Sequence, residues 1–486
     1  MKRFTLAILL FALLLSVFVA CNNDKTPSEG TGAETDPVHD GYGDDLPEDL
    51  KFNGKEFIIE TYEWGNIGPG WSCYFDCDEP EAGNILEEAA YNRNAEIEKR
   101  LDIEITCEEN WKWDGTSLGL VYVYSACGLA GKNATQLYFL EGHVSYEAFI
   151  IDELLTDIAA LPHVDLNKDY YNKKANDVYY LKDNLYMFVS DITYACQSAV
   201  TVLVNNDMLV DLGYDANYVY DKVNDGTWTI DVVFDMIEGV ASDLNSDGVL
   251  DYNDRLGFSG QPYAPCYFFP AAGLKGTYLT DEGFAFDYGT DYAVEVVDRI
   301  MELVYHKDAW YDYGEAWAHS FDAFWAGNAL FAGYASEIRA LNMLDFEFGL
   351  VPYPKYSESQ ETYSTAAAGG HAIVPGTIED EEFVGAVIEA MASASHRHFV
   401  PAFYENFIEA GVIRDDASRA NWAKMLNEWG SYEFTRGIAP DERIKAFRPA
   451  YLIISEPSDE YKSSWDSQKE MIAEICREFF DWYLAE

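Results

Sequence analysis

The chain lacks the short patterns that mark most hydrolases and nucleotide-binding enzymes. Its 486 residues contain no G-x-S-x-G, H-E-x-x-H, G-x-x-x-x-G-K or G-x-G-x-x-G string. Basic residues are also scarce, because 32 Lys and Arg stand against 85 Asp and Glu, which gives a formal net charge of -53. Such a field repels nucleic acid, whose binding needs clustered cations, and it disfavours polyanionic ligands unless a local basic pocket exists. The sequence therefore predicts no nucleic-acid partner and leaves neutral ligands unaffected.

Long apolar runs are missing after the first twenty residues, so no segment of the folded body is predicted to span a bilayer. The chain also shows no internal repeat of the lengths typical of solenoids and propellers. Eight cysteines are present, and setting aside Cys21 leaves an odd number that cannot all pair. Cys73 and Cys77 lie four residues apart with no second pair at zinc spacing, so a disulfide and buried free thiols both stay open there.

The N-terminus has the features of a secretory signal. Lys2 and Arg3 precede an apolar run over 4–19, which ends at a small residue and a cysteine. This ending resembles the lipobox of bacterial lipoproteins, and the resemblance implies that Cys21 becomes the lipidated mature N-terminus, with palmitate among the attached chains. An ordinary signal peptide with an incidental cysteine and an uncleaved anchor are the alternatives. We therefore predict a signal peptide over 1–20 and, over 21–50, a flexible tether too poor in apolar residues to fold.

The rest of the chain is long enough and apolar enough for two large domains. Aromatic residues make up 15% of the sequence, with 35 Tyr, 28 Phe and 12 Trp. A disordered protein would not carry that load, and most of these rings must lie in a core. The surplus suits a site that binds flat apolar ring faces.

Strand and helix patterns alternate along this body. We predict strands at 56–62, 103–106, 136–142, 185–194, 199–206, 348–354 and 369–375. We predict helices at 84–100, 146–155, 229–242, where Thr229 is the expected cap, and 381–395. The first strand, helix and second strand form a βαβ unit with a parallel sheet, so the fold class is α/β.

The order of these segments resembles the extracellular solute-binding proteins of sugar ABC importers, the family that includes maltose-binding protein. The stretches that carry the resemblance are 84–105, 137–142, 183–209, 226–238, 321–333, 346–355 and 369–393. The resemblance implies a two-lobed, periplasmic-binding-protein-like (type II) fold with a hinge between the lobes. It places lobe one at 51–195 plus 366–440 and lobe two at 196–365 plus 441–486. Chain crossings are expected near 192–198 and 362–369.

Ligands of open α/β sheets bind beyond the carboxyl ends of the strands, and this rule gives the candidate ligand-binding residues. They are Trp64, Trp71, Glu141, His143, Asp191, Tyr194, Gln197, Tyr334 and Glu337. Sugar recognition needs aromatic faces for the pyranose C–H surface, for which Trp64, Trp71 and Tyr334 are suited. It also needs carboxylates or amides for the hydroxyls, for which Glu141, Asp191 and Gln197 are suited. In the family, the counterparts of the loops at 140–143 and 334–337 touch sugar.

Any one of these residues also has an ordinary structural explanation. A tryptophan at such a position can be core, a carboxylate can cap a helix, and His143 is more often a satisfied loop histidine than a ligand contact. The choice of sugar over peptide also stays open, because the same lobes can hold either.

A calcium loop is the sharpest single motif. Residues 243–254 place oxygen ligands with EF-hand spacing, at Asp243, Asn245, Asp247, Val249 (through its carbonyl), Asp251 and Asp254. Gly248 stands at position six, where the loop turns sharply. The twelfth residue is Asp instead of Glu, which shortens the reach to the metal, and a strand or loop is expected after it in place of a helix. We therefore predict a structural calcium ion; an acidic surface turn is the alternative.

Together these features predict a non-enzymatic, monomeric, lipid-anchored solute-binding protein at the extracellular face of the cell membrane. It would capture a carbohydrate, most simply an oligosaccharide, and deliver it to the permease of an ABC importer. The alternatives are a secreted glycoside hydrolase, for which 85 acids offer countless carboxylate pairs without discrimination, and a calcium-stabilised surface adhesion module.

Overall fold

A computed structural model describes most of the chain after the predicted tether. The described residues are 41–63, 75, 80, 83–112, 118–128, 134–140, 146–196, 198–280, 283–312, 319–334, 344–368, 370–409, 413–432, 434, 438 and 461–485. The chain divides into Met1–Gly41 and Tyr42–Glu486, and everything below concerns the second unit. The predicted signal peptide, the lipidation site Cys21 and most of the tether lie outside the described residues. Within the described ranges, no helix combines the length and the apolar composition needed to cross a membrane.

Fourteen strands are found in the described part of the chain. They are β1 (Lys55–Glu63), β2 (Ile103–Lys112), β3 (Leu137–Leu140), β4 (Ser198–Ala199), β5 (Thr201–Asn205), β6 (Leu256–Gly260), β7 (Thr277–Thr280), β8 (Gly283–Phe286), β9 (Ala309–Tyr311), β10 (Ala329–Tyr334), β11 (Phe348–Pro352), β12 (Thr365–Ala368), β13 (His371–Ile373) and β14 (Gly430–Ser431).

Helices alternate with these strands. They are α1 (Ile85–Leu101), α2 (Leu118–Gly128), α3 (Glu147–Ile151), α4 (Lys173–Tyr179), α5 (Asn206–Asp211), α6 (Tyr218–Asn224), α7 (Ile230–Ile237), α8 (Phe268–Ala271), α9 (Asp291–Val304), α10 (Asp322–Trp325), α11 (Glu381–Ala394), α12 (Val400–Glu409), α13 (Asp416–Asn427) and α14 (Tyr461–Ala485). A π-helical turn, Ser395–Phe399, joins α11 to α12.

The first sheet has the order β13-β3-β1-β2 and begins with the predicted βαβ unit. Strands β1 and β2 pair in parallel, and β1 also pairs in parallel with β3. Phe57, Ile58 and Ile59 are all buried in succession, as expected for a parallel strand that is covered on both faces. Between β1 and β2, α1 begins at Asn84, whose side chain accepts the backbone N–H of Glu87, so the predicted helix start is confirmed to within a residue.

The second sheet has the order β11-β5-β10-β6-β9. Strands β10, β6 and β9 are parallel to one another, whereas β5 runs antiparallel to both β10 and β11. The carboxyl ends of the three parallel strands therefore lie at one edge, together with the beginning of β5. Strand β6 confirms that the chain continues as a strand after the predicted calcium loop.

A small third sheet, of order β14-β12-β4, lies where the sequence predicts the crossings. Ala367 of β12 is paired antiparallel with Ala199 of β4, and Thr365 is paired in parallel with Gly430 of β14. The Thr365 hydroxyl also donates to the Val200 carbonyl (2.6 Å). We call this sheet the hinge sheet.

Two hydrophobic cores are joined by the hinge sheet. The first packs around the β13-β3-β1-β2 sheet and the second around the β11-β5-β10-β6-β9 sheet, and we call the two bodies lobe one and lobe two. The terminal helix α14 contributes to both cores, with Trp465 in the second and Phe479 in the first. A third cluster joins Ala90 of α1 to Phe348 of lobe two through Trp422 of α13. The sequence-based residue limits of the lobes stay a prediction.

Two predicted elements differ in the structure. Only isolated bridges occur in 185–190, and Asp191–Cys196 is a 3-10 helix, so the strand predicted at 185–194 is wrong. Its apolar side chains are buried because the segment lies beside β13, with Phe188 bridged to Ala372. Helix α7 ends at Ile237, before the calcium loop, and the side chain of Thr229 makes no capping hydrogen bond.

The described cysteines with resolved side chains are free thiols: Cys107, Cys127, Cys266 and Cys476. Burial raises the pKa of Cys127 to about 12, so this thiol stays protonated and unreactive at neutral pH. Cys73 and Cys77 lie outside the described residues.

Candidate functional site

The carboxyl ends of the parallel strands form the edge at which a ligand would bind. In lobe one these ends are Glu63, Lys112 and Leu140, and in lobe two they are Gly260, Tyr311 and Tyr334. The first and third ends of lobe one are followed directly by predicted ligand residues that lie outside the described part, namely Trp64, Trp71, Glu141 and His143. Gln197 and Glu337 also lie outside it. Tyr334 is the last residue of β10, and its side chain is outside the description.

Lobe two presents two further side chains at this edge that the sequence reasoning missed. Gln261 and Tyr263 follow β6 directly and are partly exposed. They supply an amide and an aromatic ring, the two residue types that sugar recognition needs. The available signal was Gly260, whose φ of 159° and whose close approach to Gly333 leave no room for a Cβ. A glycine in a strand often marks a close approach of another backbone.

Asp191 and Tyr194 are the two predicted sugar-binding residues whose side chains the structure describes, and the fold brings them together. Both line a cavity of about 690 Å³, which we call the hinge cavity. Its walls come from four segments of the chain: 167–174, 191–194, 396–404 and 416–427. This volume is within the range of small-molecule sites in proteins.

Asp191 is held by a histidine partner within the cavity. Its carboxylate contacts Nδ1 of His396 at 2.6 Å, and its backbone N–H donates to the Tyr170 carbonyl. Burial raises the pKa of Asp191, while the hydrogen bond to the carboxylate raises the pKa of His396. One carboxylate oxygen is therefore already engaged, which leaves the other as the freer acceptor for a ligand hydroxyl.

Tyr194 is mostly a packing residue. Its ring meets Phe403 edge-on at 5.2 Å, and its hydroxyl lies 2.7 Å from that of Tyr404. Burial raises the pKa of Tyr194 well above its usual value, so the hydroxyl stays a donor at neutral pH. Its contribution to binding, like that of Asp191, stays a prediction.

The sequence reasoning also missed His396, which the π-helical turn carries into the cavity. Two neighbours on this turn, Arg397 and His398, both contact Glu96 of α1, and this attaches the turn to lobe one. A run of three basic residues in so acidic a chain was a usable signal. π-Turns insert one extra residue into a helix and are frequent at functional sites.

The cavity lies beside the outer edges of both sheets. Bridges from Tyr171 to Ser190 and from Phe188 to Ala372 extend lobe one beyond β13. In lobe two, α13 covers the outermost strand β11, where the Ser418 hydroxyl accepts the backbone N–H of Leu350 (2.9 Å). Among the described residues, those that line the cavity do not include Gln261 and Tyr263, which follow β6.

The predicted calcium loop is closed and rich in carboxylate-to-backbone hydrogen bonds. Ser242 and Arg255 bridge its two ends. Asp254 is fully buried, and its two oxygens accept the backbone N–H groups of Leu244 (2.8 Å) and Asp251 (3.0 Å). These bonds hold the pKa of Asp254 below its usual value, so the group is ionised at neutral pH. Gly248 has a φ of 81°, the left-handed conformation that the sharp turn requires.

Among the described residues, the acids of this loop do not gather three ligand atoms within 4.8 Å, whereas Glu238, His306 and Asp308 do. The latter cluster is explained by its own hydrogen bonds. Nδ1 of His306 accepts the backbone N–H of Asp308 (3.2 Å), so neutral His306 carries its proton on Nε2, which faces Glu238 at 3.3 Å. Asp308 accepts the backbone N–H of Gly239, and Lys307 pairs with Glu238. Metal binding would require breaking these contacts.

No protein-family model matches the chain, and no curated protein matches it in sequence. Several solved structures share its fold. UspC of M. tuberculosis superimposes with a TM-score of 0.57 at 13% identity, over 86% of this chain and 100% of that one. A cyclo/maltodextrin-binding protein complexed with maltotetraose gives a TM-score of 0.57 at 11% identity, over 87% and 98%.

A third similar structure is the ABC substrate-binding protein Lmo0181 of Listeria monocytogenes in complex with cycloalternan. Its TM-score is 0.54 at 13% identity, over 87% of this chain and 98% of that one. The latter two neighbours are named as binding proteins, and all three share the fold of this chain. The predicted two-lobed α/β fold is therefore confirmed.

Proposed function

We propose that the protein is a solute-binding protein that captures a carbohydrate between its two lobes without altering it. The observation that carries the proposal is the arrangement of two sheets, each with parallel strand ends at one edge, joined by the three-stranded hinge sheet. Rotation at so few hinge residues lets two lobes close on a ligand. Neighbours of the same fold are named for binding maltodextrin or were solved with cycloalternan or maltose, which supports an oligosaccharide as ligand.

The proposed ligand contacts come from both lobes. Trp64 and Trp71 from lobe one and Tyr334 from lobe two would stack on pyranose rings, while Glu141 and Gln197 would accept sugar hydroxyls. His143 and Glu337 complete the proposed set, and Gln261 and Tyr263 extend it in lobe two. Asp191 and Tyr194 line the hinge cavity, and we propose that they contact a ligand there.

Delivery to a membrane permease and lipid attachment belong to the same proposal. Cys21 would carry the lipid, and residues 21–50 would leave the lobes free to reach the permease of an ABC importer at the extracellular face of the membrane. The lipobox-like end of the signal and the low apolar content of the tether support lipid attachment and delivery. Mass spectrometry of the protein from a membrane fraction would test it, because an unmodified Cys21 in the mature protein would contradict it.

Sugar binding is tested by titrating the purified protein with maltotetraose in a calorimeter. The double variant Trp64→Ala, Tyr334→Ala should lose binding while its melting temperature without ligand stays unchanged. Tyr305→Ala is the matched control for Tyr334→Ala, because Tyr305 is also a tyrosine of lobe two and has 65% of its surface exposed. Equal affinity in the double variant would remove both residues from the site, and cleavage of maltotetraose or a chromogenic glycoside would favour the hydrolase alternative.

We propose in addition that the loop at 243–254 binds a structural calcium ion. The ligands would be Asp243, Asn245, Asp247, the Val249 carbonyl, Asp251 and Asp254. The EF-hand spacing, the conformation of Gly248 and the ionised state of Asp254 support the proposal. Calcium would draw together carboxylates that otherwise accept backbone N–H groups.

The calcium proposal predicts a calcium-dependent effect of Asp247→Ala on thermal stability. The variant should melt at a lower temperature than the wild type only when calcium is supplied. Asp298→Ala, which removes an exposed acid of α9, is the control and should show no calcium dependence. An equal loss of stability in excess chelator would mean that Asp247 acts through its loop hydrogen bonds alone.

A further inference from the structure

The hinge cavity reverses the charge balance of the chain. Among the described residues, 17 line the cavity; four of them are Lys or Arg and three are acidic, although Lys and Arg make up just 32 of the 486 residues of the sequence. In the sequence as a whole, acids outnumber bases by 85 to 32. Because His396 also lines the wall, the cavity is a local basic pocket on an otherwise strongly acidic protein. Such a pocket is the one condition under which this chain would attract an anion.

The basic side chains come from two different elements that line the cavity. Lys168 and Lys174 belong to the segment that leads into and begins α4, while Arg419 lies on α13. The Lys174 ammonium donates to the Glu428 carbonyl and Lys168 pairs with Asp45. Arg419 makes a looser pair, 3.8 Å from a carboxylate of Asp416 that is almost fully exposed. An exposed pair of this kind contributes little, so a ligand can replace it at low cost.

We propose that the hinge cavity is a second ligand site, which binds a small organic anion through Arg419 and Lys174. The guanidinium offers a planar fork that matches a carboxylate or a phosphate, and the ammonium adds a second charge. The Tyr404 hydroxyl stays a donor because burial raises its pKa. Val400 and Ala423 line the remaining wall, so the site suits an anion with a carbon skeleton over a bare inorganic ion.

Occupancy of this site is coupled to the lobes. The α4 wall belongs to lobe one through Ala175 and Tyr179, which are part of its core. The α13 wall is attached to β11 of lobe two, where Asn421 donates to the Leu350 carbonyl (3.0 Å). An anion that bridges the two walls therefore stabilises one angle between the lobes. This coupling rests on the proposed function, whereas anion binding itself does not.

Calorimetric titration of the full-length protein tests the site. The probes are glucuronate, glucose 6-phosphate and, as the neutral control, glucose. The variants are Arg419→Gln and Lys174→Gln, with Lys469→Gln on the exposed face of α14 as the matched control. At least one anion should bind, and its affinity should fall at least about tenfold in Arg419→Gln and in Lys174→Gln but not in Lys469→Gln.

The two anionic probes distinguish a carboxylate from a phosphate ligand. The proposal is overturned if neither probe shows saturable binding below about 10 mM, or if the cavity variants bind as tightly as the wild type. Repeating the maltotetraose titration with the anion present tests the coupling, because linked sites must change each other's affinity by the same factor. Unchanged maltotetraose affinity overturns the coupling. Anion binding without any sugar binding would instead overturn the proposed function and leave the anion site intact.

Discussion

The buried ion pair between Asp44 and Arg100 should be a major stabilising contact of the N-terminal arm, which we define as residues 42–52. The guanidinium donates to both oxygens of Asp44, at 2.6 and 2.8 Å, and the Tyr42 ring lies 4.0 Å from it. Both charged side chains are almost completely buried. Removing one partner of such a pair leaves an unpaired buried charge, so Asp44→Ala should lower the free energy of unfolding by about 3–5 kcal/mol.

The arm can limit this loss by leaving its site. Leu46 and Phe52 are buried, and their exposure would each cost about 1.5–3 kcal/mol. If the arm separates before the rest of the protein unfolds, Arg100 becomes hydrated and the loss is smaller, but the arm becomes accessible to protease at Lys51. The two outcomes are thus distinguished by combining urea denaturation, followed by tryptophan fluorescence, with limited trypsin digestion.

An exposed pair provides the control for this prediction. Lys173 and Asp177 are paired at 2.9 Å with 70% and 54% of their side chains exposed. Lys173→Gln should therefore change stability by less than about 0.5 kcal/mol. The reasoning would be refuted if Asp44→Ala cost less than about 1 kcal/mol without new cleavage near Lys51.

Two further predictions concern lobe one. In Gly385→Ala, the added Cβ would lie 2.0 Å from the backbone carbonyl oxygen of Pro162. The variant should lose about 1–3 kcal/mol of unfolding free energy, although alanine has a better helix propensity than glycine. A variant that is more stable than the wild type in urea denaturation would contradict this contact. Glu389 is buried, and burial raises its pKa although the Tyr171 hydroxyl donates to it (2.8 Å). The folded state therefore binds the proton more tightly than the unfolded state, so this contribution to stability is fully present below the unfolded pKa and is lost as the pH rises through the folded pKa. Glu389→Gln should gain stability relative to wild type as the pH is raised from about 4 to 7, and a constant or opposite difference across that series would show that the carboxylate is well stabilised when charged.

Local patterns predicted the elements that are decided by neighbours along the chain. The unit of β1, α1 and β2 was found because an apolar run, a capping asparagine at Asn84 and a second apolar run follow one another. After the predicted calcium loop a strand or a loop was expected, and a strand follows there. The apolar run at 185–194 failed, because burial beside β13 makes a bridged segment as apolar as a strand.

The candidate site also has one part that local patterns predicted and another part that only the tertiary structure reveals. The carboxyl-end rule identified Tyr334 as a strand-end residue, and the structure places it there. It could not reveal that Asp191 is already engaged by His396, since 205 positions separate the two along the chain. Nor could it reveal that Gln261 and Tyr263 stand at a matching edge in lobe two.

The sequence by itself determined the α/β class, the two-lobed resemblance and the spacing of the predicted calcium loop, and it predicted a secretory N-terminus. Each of these depends on the order or spacing of residues along the chain, which propensity and periodicity report directly. Only the tertiary structure decided which side chains meet at the hinge. The basic wall of the hinge cavity is built from 167–174 and 416–427, and these segments become neighbours only because both lobes pack their cores and the hinge sheet joins them. A charge reversal of that kind is invisible in a composition that sums to -53, because charge density depends on distances in space.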